Sequence, residues 1–192
     1  MQIVFATHNQ NKLKEIQALL PQHIKLISLK AIGCFEDIPE TQNTIEGNAV
    51  QKAVYVKTNY GYDCFADDTG LEVETLNGEP GVYSARYAGA QRDANDNMDL
   101  LLQNLKDKDN RNAQFKTVIA LQLHNKQYTY TGICKGKITT FKSGNQGFGY
   151  DPIFKPGGYE QTFAEMDLEL KNKIGHRGKA TKKLIEFLNK IS

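Results

Sequence analysis

Apolar positions along the chain fall into short runs and helical stripes separated by polar loops. Gln2 to Ala6 is short, apolar and β-branched enough for a buried strand, and Leu13, Ile16, Leu19 and Leu20 then recur at helical spacing until Pro21. Thr7-His8-Asn9-Gln10-Asn11-Lys12 therefore falls on a strand-to-helix loop. Ile24 to Leu29 alternates like a second strand. Thr44 to Asn59 places Ile45, Ala49, Ala53 and Val56 on one helical face that ends before Gly61, and the acidic loop Phe35-Glu36-Asp37-Ile38-Pro39-Glu40 lies between the two.

Further along, Asp63 to Ala66 and Leu71 to Leu76 predict two strands flanking a turn at Asp67-Asp68-Thr69-Gly70, with Asn77-Gly78 as a turn signal after the second. Asp93 to Leu105 predicts a helix through Ala94, Met98, Leu101, Leu102 and Leu105. Phe115 to Leu123 alternates as a long strand, turning at Asn125-Lys126 into Gln127 to Cys134 as an antiparallel hairpin. Ser143 to Pro152 is a glycine-rich loop and Ile174-Gly175-His176-Arg177-Gly178 another. Ala180, Leu184, Phe187, Leu188 and Ile191 mark a terminal helix. The mixture predicts a single α/β domain over residues 1–192 with a mixed sheet, divided into two lobes about a cleft.

Composition narrows the function classes. Lys+Arg 24 against Asp+Glu 22 leaves a formal charge of +2, too little phosphate attraction for a nucleic-acid binder, and the C-terminal lysines alternate with apolar residues as on a solvated helix face. The three cysteines, Cys34, Cys64 and Cys134, have neither disulfide nor zinc spacing. With no leader-like start and no apolar run near the roughly 20 residues of a membrane span, the expectation is a cytoplasmic protein with no membrane partner.

The adjacent carboxylates Asp67 and Asp68, read as lying at a turn, would repel one another, and a hard cation relieves that repulsion. Magnesium takes one or two carboxylates with waters and phosphate oxygens, and Glu40 is a further acidic candidate. Taken alone, the pair reads more readily as a cap or turn than as a metal site. Thr7 to Lys12 offers side-chain donors and the open N–H groups of a helix start, an environment for phosphate or simply a polar cap. Phe148 to Asp151 sets an aromatic ring and a carboxylate on a flexible backbone. With His176 or Arg177 donating to O6 and Asp151 accepting from N1–H, these residues suit a 6-oxopurine and mismatch adenine. Read singly, Phe148 is a core residue and Arg177 a surface one. Arg86, in the Pro80 to Gly89 loop, suits either a phosphate or an acidic neighbour. No serine or cysteine sits in a nucleophile motif, which disfavours covalent catalysis.

Five ordered blocks carry a resemblance over nearly the whole chain: Thr7 to Lys12; Gly47-Asn48-Ala49 with Lys52-Ala53; Phe65 to Leu71 running on to Pro80 through Tyr87; Gly147 to Phe154; and Gly175 to Gly178. Together they resemble the inosine triphosphate pyrophosphatase family, also called Ham1-like or XTP/dITP pyrophosphatases. The resemblance implies hydrolysis of non-standard purine nucleoside triphosphates (ITP, dITP, XTP) to monophosphate and pyrophosphate, with Mg2+ as cofactor. It also implies a homodimer of elongated α/β subunits, with a mixed central sheet dividing two lobes around a nucleotide cleft.

By the same resemblance, Thr7, His8, Asn9, Gln10, Asn11 and Lys12 form the phosphate loop, Glu40 and Asp68 bind metal, Asp68 is also the catalytic base, and Thr69 is a neighbouring hydroxyl. Phe148, Gly149, Tyr150, Asp151, Lys171, His176 and Arg177 map to base recognition, and Asp67 to a supporting carboxylate. Two positions depart from the family pattern. Thr69 stands where serine is common and keeps the hydroxyl, whereas His8 stands where glycine is common and adds bulk to the phosphate loop. Competing expectations are a nucleotide sensor without turnover and a Maf-like pyrophosphatase of similar architecture but different substrates.

Overall fold

The computed structural model describes residues 1–191. Its strands are β1 (Gln2–Phe5), β2 (Lys25–Ser28), β3 (Cys64–Val73), β4 (Pro80–Gly81), β5 (Asn112–Leu123), β6 (Lys126–Ile138) and β7 (Phe154–Pro156). Its helices are α1 (Gln10–Gln17), α2 (Ile45–Tyr60), α3 (Ala94–Asn104), α4 (Leu168–Ile174) and α5 (His176–Ile191). The strands pair in the order β2-β1-β3-β5-β6-β7, with β4 beside β3. β1 runs parallel to both β2 and β3, while β4 is antiparallel to β3 and β7 to β6, so the fold is α/β with a mixed sheet as the sequence predicts. No helix among the described residues is long and apolar enough to cross a membrane.

The chain forms two compact units, each with its own core. The first comprises Met1–Asp68, Thr117–Gly132 and the segment from Arg177. Phe5 of β1 and Phe65 of β3 stack there with ring centroids 4.6 Å apart, against Ile16 of α1, Leu121 of β5 and Leu184 of α5. Helix α2 belongs to this unit. The Thr44 hydroxyl accepts from the Gly47 N–H at 2.9 Å to cap its start, and Gly61 at φ 76° ends it.

The second unit comprises Thr69–Lys116 and Ile133–His176. Phe115 meets Phe154 edge-on at 4.7 Å in a core shared with Leu71, Leu101, Phe163 and Met166. Asp93 caps α3 through the N–H groups of Asn95 and Asp96.

Four local expectations are corrected. Asp67 to Gly70 forms no turn but lies inside the single ten-residue strand β3, because tertiary partners satisfy the two carboxylates and override the low strand preference of aspartate. The hairpin turns at His124 and Asn125 (φ 47° and 62°), one residue earlier than predicted, since these two residues take the positive φ that a tight hairpin demands. His176 and Arg177 open α5 instead of lying on a loop. Arg177 is buried at 3% exposure and Phe148 only half-buried, the reverse of how each reads singly, because carboxylates surround the guanidinium.

Candidate active site

In the first unit, α1, the part of β3 up to Asp68, and α2 bring Lys12 to Asp67, and Asp68 and Glu40 to Lys52. Between β1 and α1, Asn9 caps α1: its side-chain oxygen accepts from the N–H groups of Asn11 and Lys12 at 2.9 and 3.2 Å. The Thr7 hydroxyl accepts from the Asn9 N–H at 3.1 Å, and the Gln10 amide donates to the His8 carbonyl at 3.4 Å. His8 is exposed, and its Nε2–H donates to the Glu36 carbonyl at 3.0 Å, so the bulky residue turns toward the acidic loop.

Strand β3 gives the two aspartates different surroundings. Successive side chains on a strand point to opposite faces, so adjacent carboxylates are separated rather than crowded. Asp67 faces α1 and α5: Lys12 Nζ lies 2.9 Å from Oδ1 and Arg177 Nε 3.0 Å from Oδ2, while a terminal nitrogen of the same guanidinium pairs with Glu15. Burial pushes the Asp67 carboxyl up, but Lys12 and Arg177 outweigh it and hold Asp67 below the usual carboxylate range. Burial lowers the Lys12 ammonium, Asp67 opposes this, and Lys52 and Arg177 add to it. The two cations and the two carboxylates of this group balance.

Asp68 faces α2. Lys52 Nζ lies 3.5 Å from Asp68 Oδ1 and also pairs with Glu40 of the acidic loop. Among these three side chains, two carboxylates share one ammonium, a net formal charge of −1. Burial raises the Asp68 carboxyl above its ordinary value; Lys52 and Lys12 oppose the rise, and Glu40 and Asp67 add to it. Lys52 is raised in turn, since Asp68 and Glu40 outweigh the effect of its burial. Among the described residues, no three His, Cys, Asp or Glu side chains cluster to hold an ion. Two carboxylates meeting at one ammonium are hard oxygen donors of the kind Mg2+ takes, with waters and phosphate oxygens for its other positions.

The sequence reading assigned no role to Lys52 or Glu15. A signal for Lys52 was present: a lysine at the edge of the otherwise apolar stripe Ile45, Ala49, Ala53, Val56, buried at 6% exposure. Only tertiary pairing with Arg177, 162 positions away, distinguishes Glu15 from an ordinary helix-surface glutamate.

In the second unit, Asp151 is 2% exposed and accepts from the Phe148 N–H at 2.7 Å and from Lys171 of α4 at 2.6 Å. Lys171 Nζ sits 5.0 Å from the Phe148 ring centroid. Tyr150 is buried, its hydroxyl donating to the Ser84 carbonyl at 2.8 Å. His176 stacks on Phe115 at 4.5 Å and 16°. Gly149 has φ 64° and Gly147 φ 72°, and a Cβ on Gly147 would stand 2.1 Å from Asp151 Oδ2, so the carboxylate requires glycine there. Thr69 follows Asp68 in β3 and is half-buried. Arg86 lies 5.2 Å from the Tyr83 ring centroid, a cation–π contact. Phe148, Gly149, Tyr150, Asp151, Lys171 and His176 thus lie in this unit, whereas Arg177 lies in the first with Asp67 and Glu15.

Comparison with known proteins gives the family of the chain. The profile of the Ham1 family matches residues 3–187. The chain is 68% identical over 187 residues to a dITP/XTP pyrophosphatase of Flavobacterium psychrophilum, covering 97% of this chain and 98% of that one. It is 48% identical to one from Porphyromonas gingivalis, covering 97% and 96%. Among solved structures, the Staphylococcus aureus Ham1 protein superposes with a TM-score of 0.91 at 36% identity over the whole of both chains. A HAM1 protein from Coxiella burnetii gives 0.91 at 37% over 99% of each. Domain-length matches in sequence and in structure therefore place this chain in the Ham1 family.

Proposed function

We propose that the protein hydrolyses the non-standard purine nucleoside triphosphates ITP, dITP and XTP to the nucleoside monophosphate and pyrophosphate. The activity named for its relatives supports the reaction, and the observation that carries the chemistry is the convergence of Asp68 and Glu40 on one ammonium.

Asp68 and Glu40 are the residues that would hold Mg2+, which when bound supplies positive charge to the phosphate oxygens. Asp68, its carboxyl raised by burial, takes a proton from the attacking water. The water oxygen bonds to the α-phosphorus, the bond from that phosphorus to the bridging oxygen breaks, and pyrophosphate leaves. Lys12, the Thr7 and Asn9 side chains and the N–H groups at the start of α1 attract the triphosphate, with His8, Gln10 and Asn11 completing that loop; Thr69 carries the hydroxyl that the family resemblance assigns to substrate binding. Lys52 limits the repulsion between Asp68 and Glu40. Asp67 holds Lys12 in place.

For the base, Asp151 accepts from N1–H of a 6-oxopurine, and Lys171 and His176 act with Phe148, Gly149 and Tyr150 in recognising the ring. Arg177 joins them by family resemblance, and its contacts give it a further task in binding Asp67 and Glu15. Adenine reverses the donor and acceptor at positions 6 and 1 and so leaves these groups mismatched. The family resemblance also supports a single-domain subunit acting as a cytoplasmic homodimer; sedimentation at micromolar concentration tests the dimer.

A panel of ITP, dITP, XTP, GTP, ATP, dTTP and UTP with Mg2+ tests the reading. We expect monophosphate and pyrophosphate from the first three. Binding without turnover supports a sensor, preference for the pyrimidines supports Maf-like chemistry, and orthophosphate with diphosphate overturns attack at the α-phosphorus.

A further inference from the structure

The segment carrying Glu40 lies in no helix or strand, yet it is fastened to α2 along its length. The Gln42 N–H donates to Asn48 Oδ1 at 2.9 Å. The Thr41 N–H donates to Gln51 Oε1 at 2.9 Å, and Gln51 Nε2 returns a bond to the Thr41 hydroxyl at 2.8 Å. Glu40 pairs with Lys52. The Tyr55 hydroxyl donates to Glu36 Oε1 at 3.0 Å, and the Tyr60 hydroxyl donates to the same oxygen.

The partners run in opposite order: as the helix climbs through residues 48, 51, 52 and 55, the loop descends through 42, 41, 40 and 36. Those helix positions are spaced i, i+3, i+4 and i+7, which puts them on one face of α2. The lower end is a close approach, since a Cβ on Gly47 would stand 2.8 Å from Gln42 Cβ and 2.9 Å from the Thr44 hydroxyl. At the upper end the Tyr60 and Tyr55 hydroxyls hold the Glu36 carboxyl down to about 2, so it stays ionised as their acceptor. A carboxylate on an unanchored loop would have to be ordered each time a metal bound, whereas this ladder orders it beforehand.

We propose that Gln51, together with the Tyr55 and Tyr60 hydroxyls, acts as a positioning device for Glu40, holding the acidic loop on α2 so that this carboxylate stands ready beside Asp68 for the cation. The inference rests on the reading that Glu40 and Asp68 bind the metal, and it adds side chains that act through the loop, by their bonds to Thr41 and Glu36.

The test is titration of the intact protein with Mn2+ alone, followed by electron paramagnetic resonance of the free ion, alongside the Mg2+ dependence of ITP hydrolysis. Gln51→Ala should weaken Mn2+ binding about 10-fold, the lower end for partners that orient a metal ligand, with a smaller effect in the double variant Tyr55→Phe/Tyr60→Phe. In both, excess Mg2+ should restore kcat and leave the KM for ITP unchanged. Thr41→Ser keeps both bonds to Gln51 and should bind Mn2+ like the parent. Unchanged Mn2+ affinity in Gln51→Ala and in the tyrosine variant, each with native far-UV circular dichroism and a cooperative melt, overturns the proposal. The tyrosine variant deletes only exposed hydroxyls and so keeps the test decisive if Gln51→Ala folds poorly. Glu40→Gln separates the two layers. If it too binds Mn2+ normally, the metal reading fails; if it alone weakens binding, only the anchoring fails.

Discussion

Lys52 stands 3.5 Å from Asp68 Oδ1 while pairing with Glu40, so a protein cation occupies the point where two carboxylates converge. One ammonium offsets one of the two charges, and metal removal should therefore stop chemistry without unfolding the protein. Dialysis against EDTA is expected to abolish ITP hydrolysis and Mg2+ to restore it. The melting temperature should move by less than about 3 °C, the equivalent of roughly 1 kcal/mol for a chain of this size, measurable by calorimetry.

The two adjacent aspartates should respond in opposite ways to the same change. Asp67→Asn leaves Lys12 and Arg177 buried with too little negative charge, which costs about 3–5 kcal/mol and lowers the melting temperature by on the order of 10 °C. In Asp68→Asn a neutral amide replaces a carboxylate whose ionisation burial disfavours, so its melting temperature should equal or exceed that of the parent. Turnover should nevertheless fall by about 100-fold or more, through loss of the base. Equal stability in the two variants would contradict the split of partners across β3.

Acid should act on stability through Asp67. Its native carboxyl is held below the usual range because Lys12 and Arg177 outweigh burial. The stability it contributes is therefore complete above the unfolded value, near pH 4, and is lost as the pH falls below that value toward the lowered native one. Urea unfolding in steps from pH 7 to pH 3 should show this loss beginning at about pH 4. In Asp67→Asn that part of the acidic decline should be absent.

On the base side, Gly147→Ala should uncouple selectivity from chemistry. The new methyl group meets Asp151 Oδ2 at 2.1 Å and the backbone is at φ 72°, so the substitution displaces the carboxylate proposed to accept N1–H. The KM for ITP should rise about 10-fold or more and the preference for ITP over ATP should shrink. Metal binding, proposed to draw on Asp68 and Glu40 of the other unit, should be unaltered; steady-state kinetics and an Mn2+ titration check the two halves.

Much of the fold was legible because burial repeats with period. Ile45, Ala49, Ala53 and Val56 announced α2, Thr44 and Gly61 its ends, and the alternation of Phe115 to Leu123 announced β5. Where local chemistry misled, long-range partners had intervened. Asp67-Asp68-Thr69-Gly70 carries turn-forming residues, but cations from α1, α2 and α5 made an extended strand affordable there. Arg177 looked like a surface residue because nothing near it in sequence foretells Asp67, 110 positions away, or Glu15.

The sequence by itself determined the classes of side chain and their order: a polar strand-to-helix segment, an acidic pair, a glycine-rich aromatic segment and the resemblance they carry to one family. Only tertiary structure decided what each charge faces. Alternation along β3 sends Asp67 to Lys12 and Arg177, which also pairs with Glu15, and sends Asp68 to Lys52, which it shares with Glu40. Two neighbouring aspartates of identical composition thereby differ in acidity, because a carboxyl's ionisation follows its burial and the sign of its neighbours, and those are set by packing.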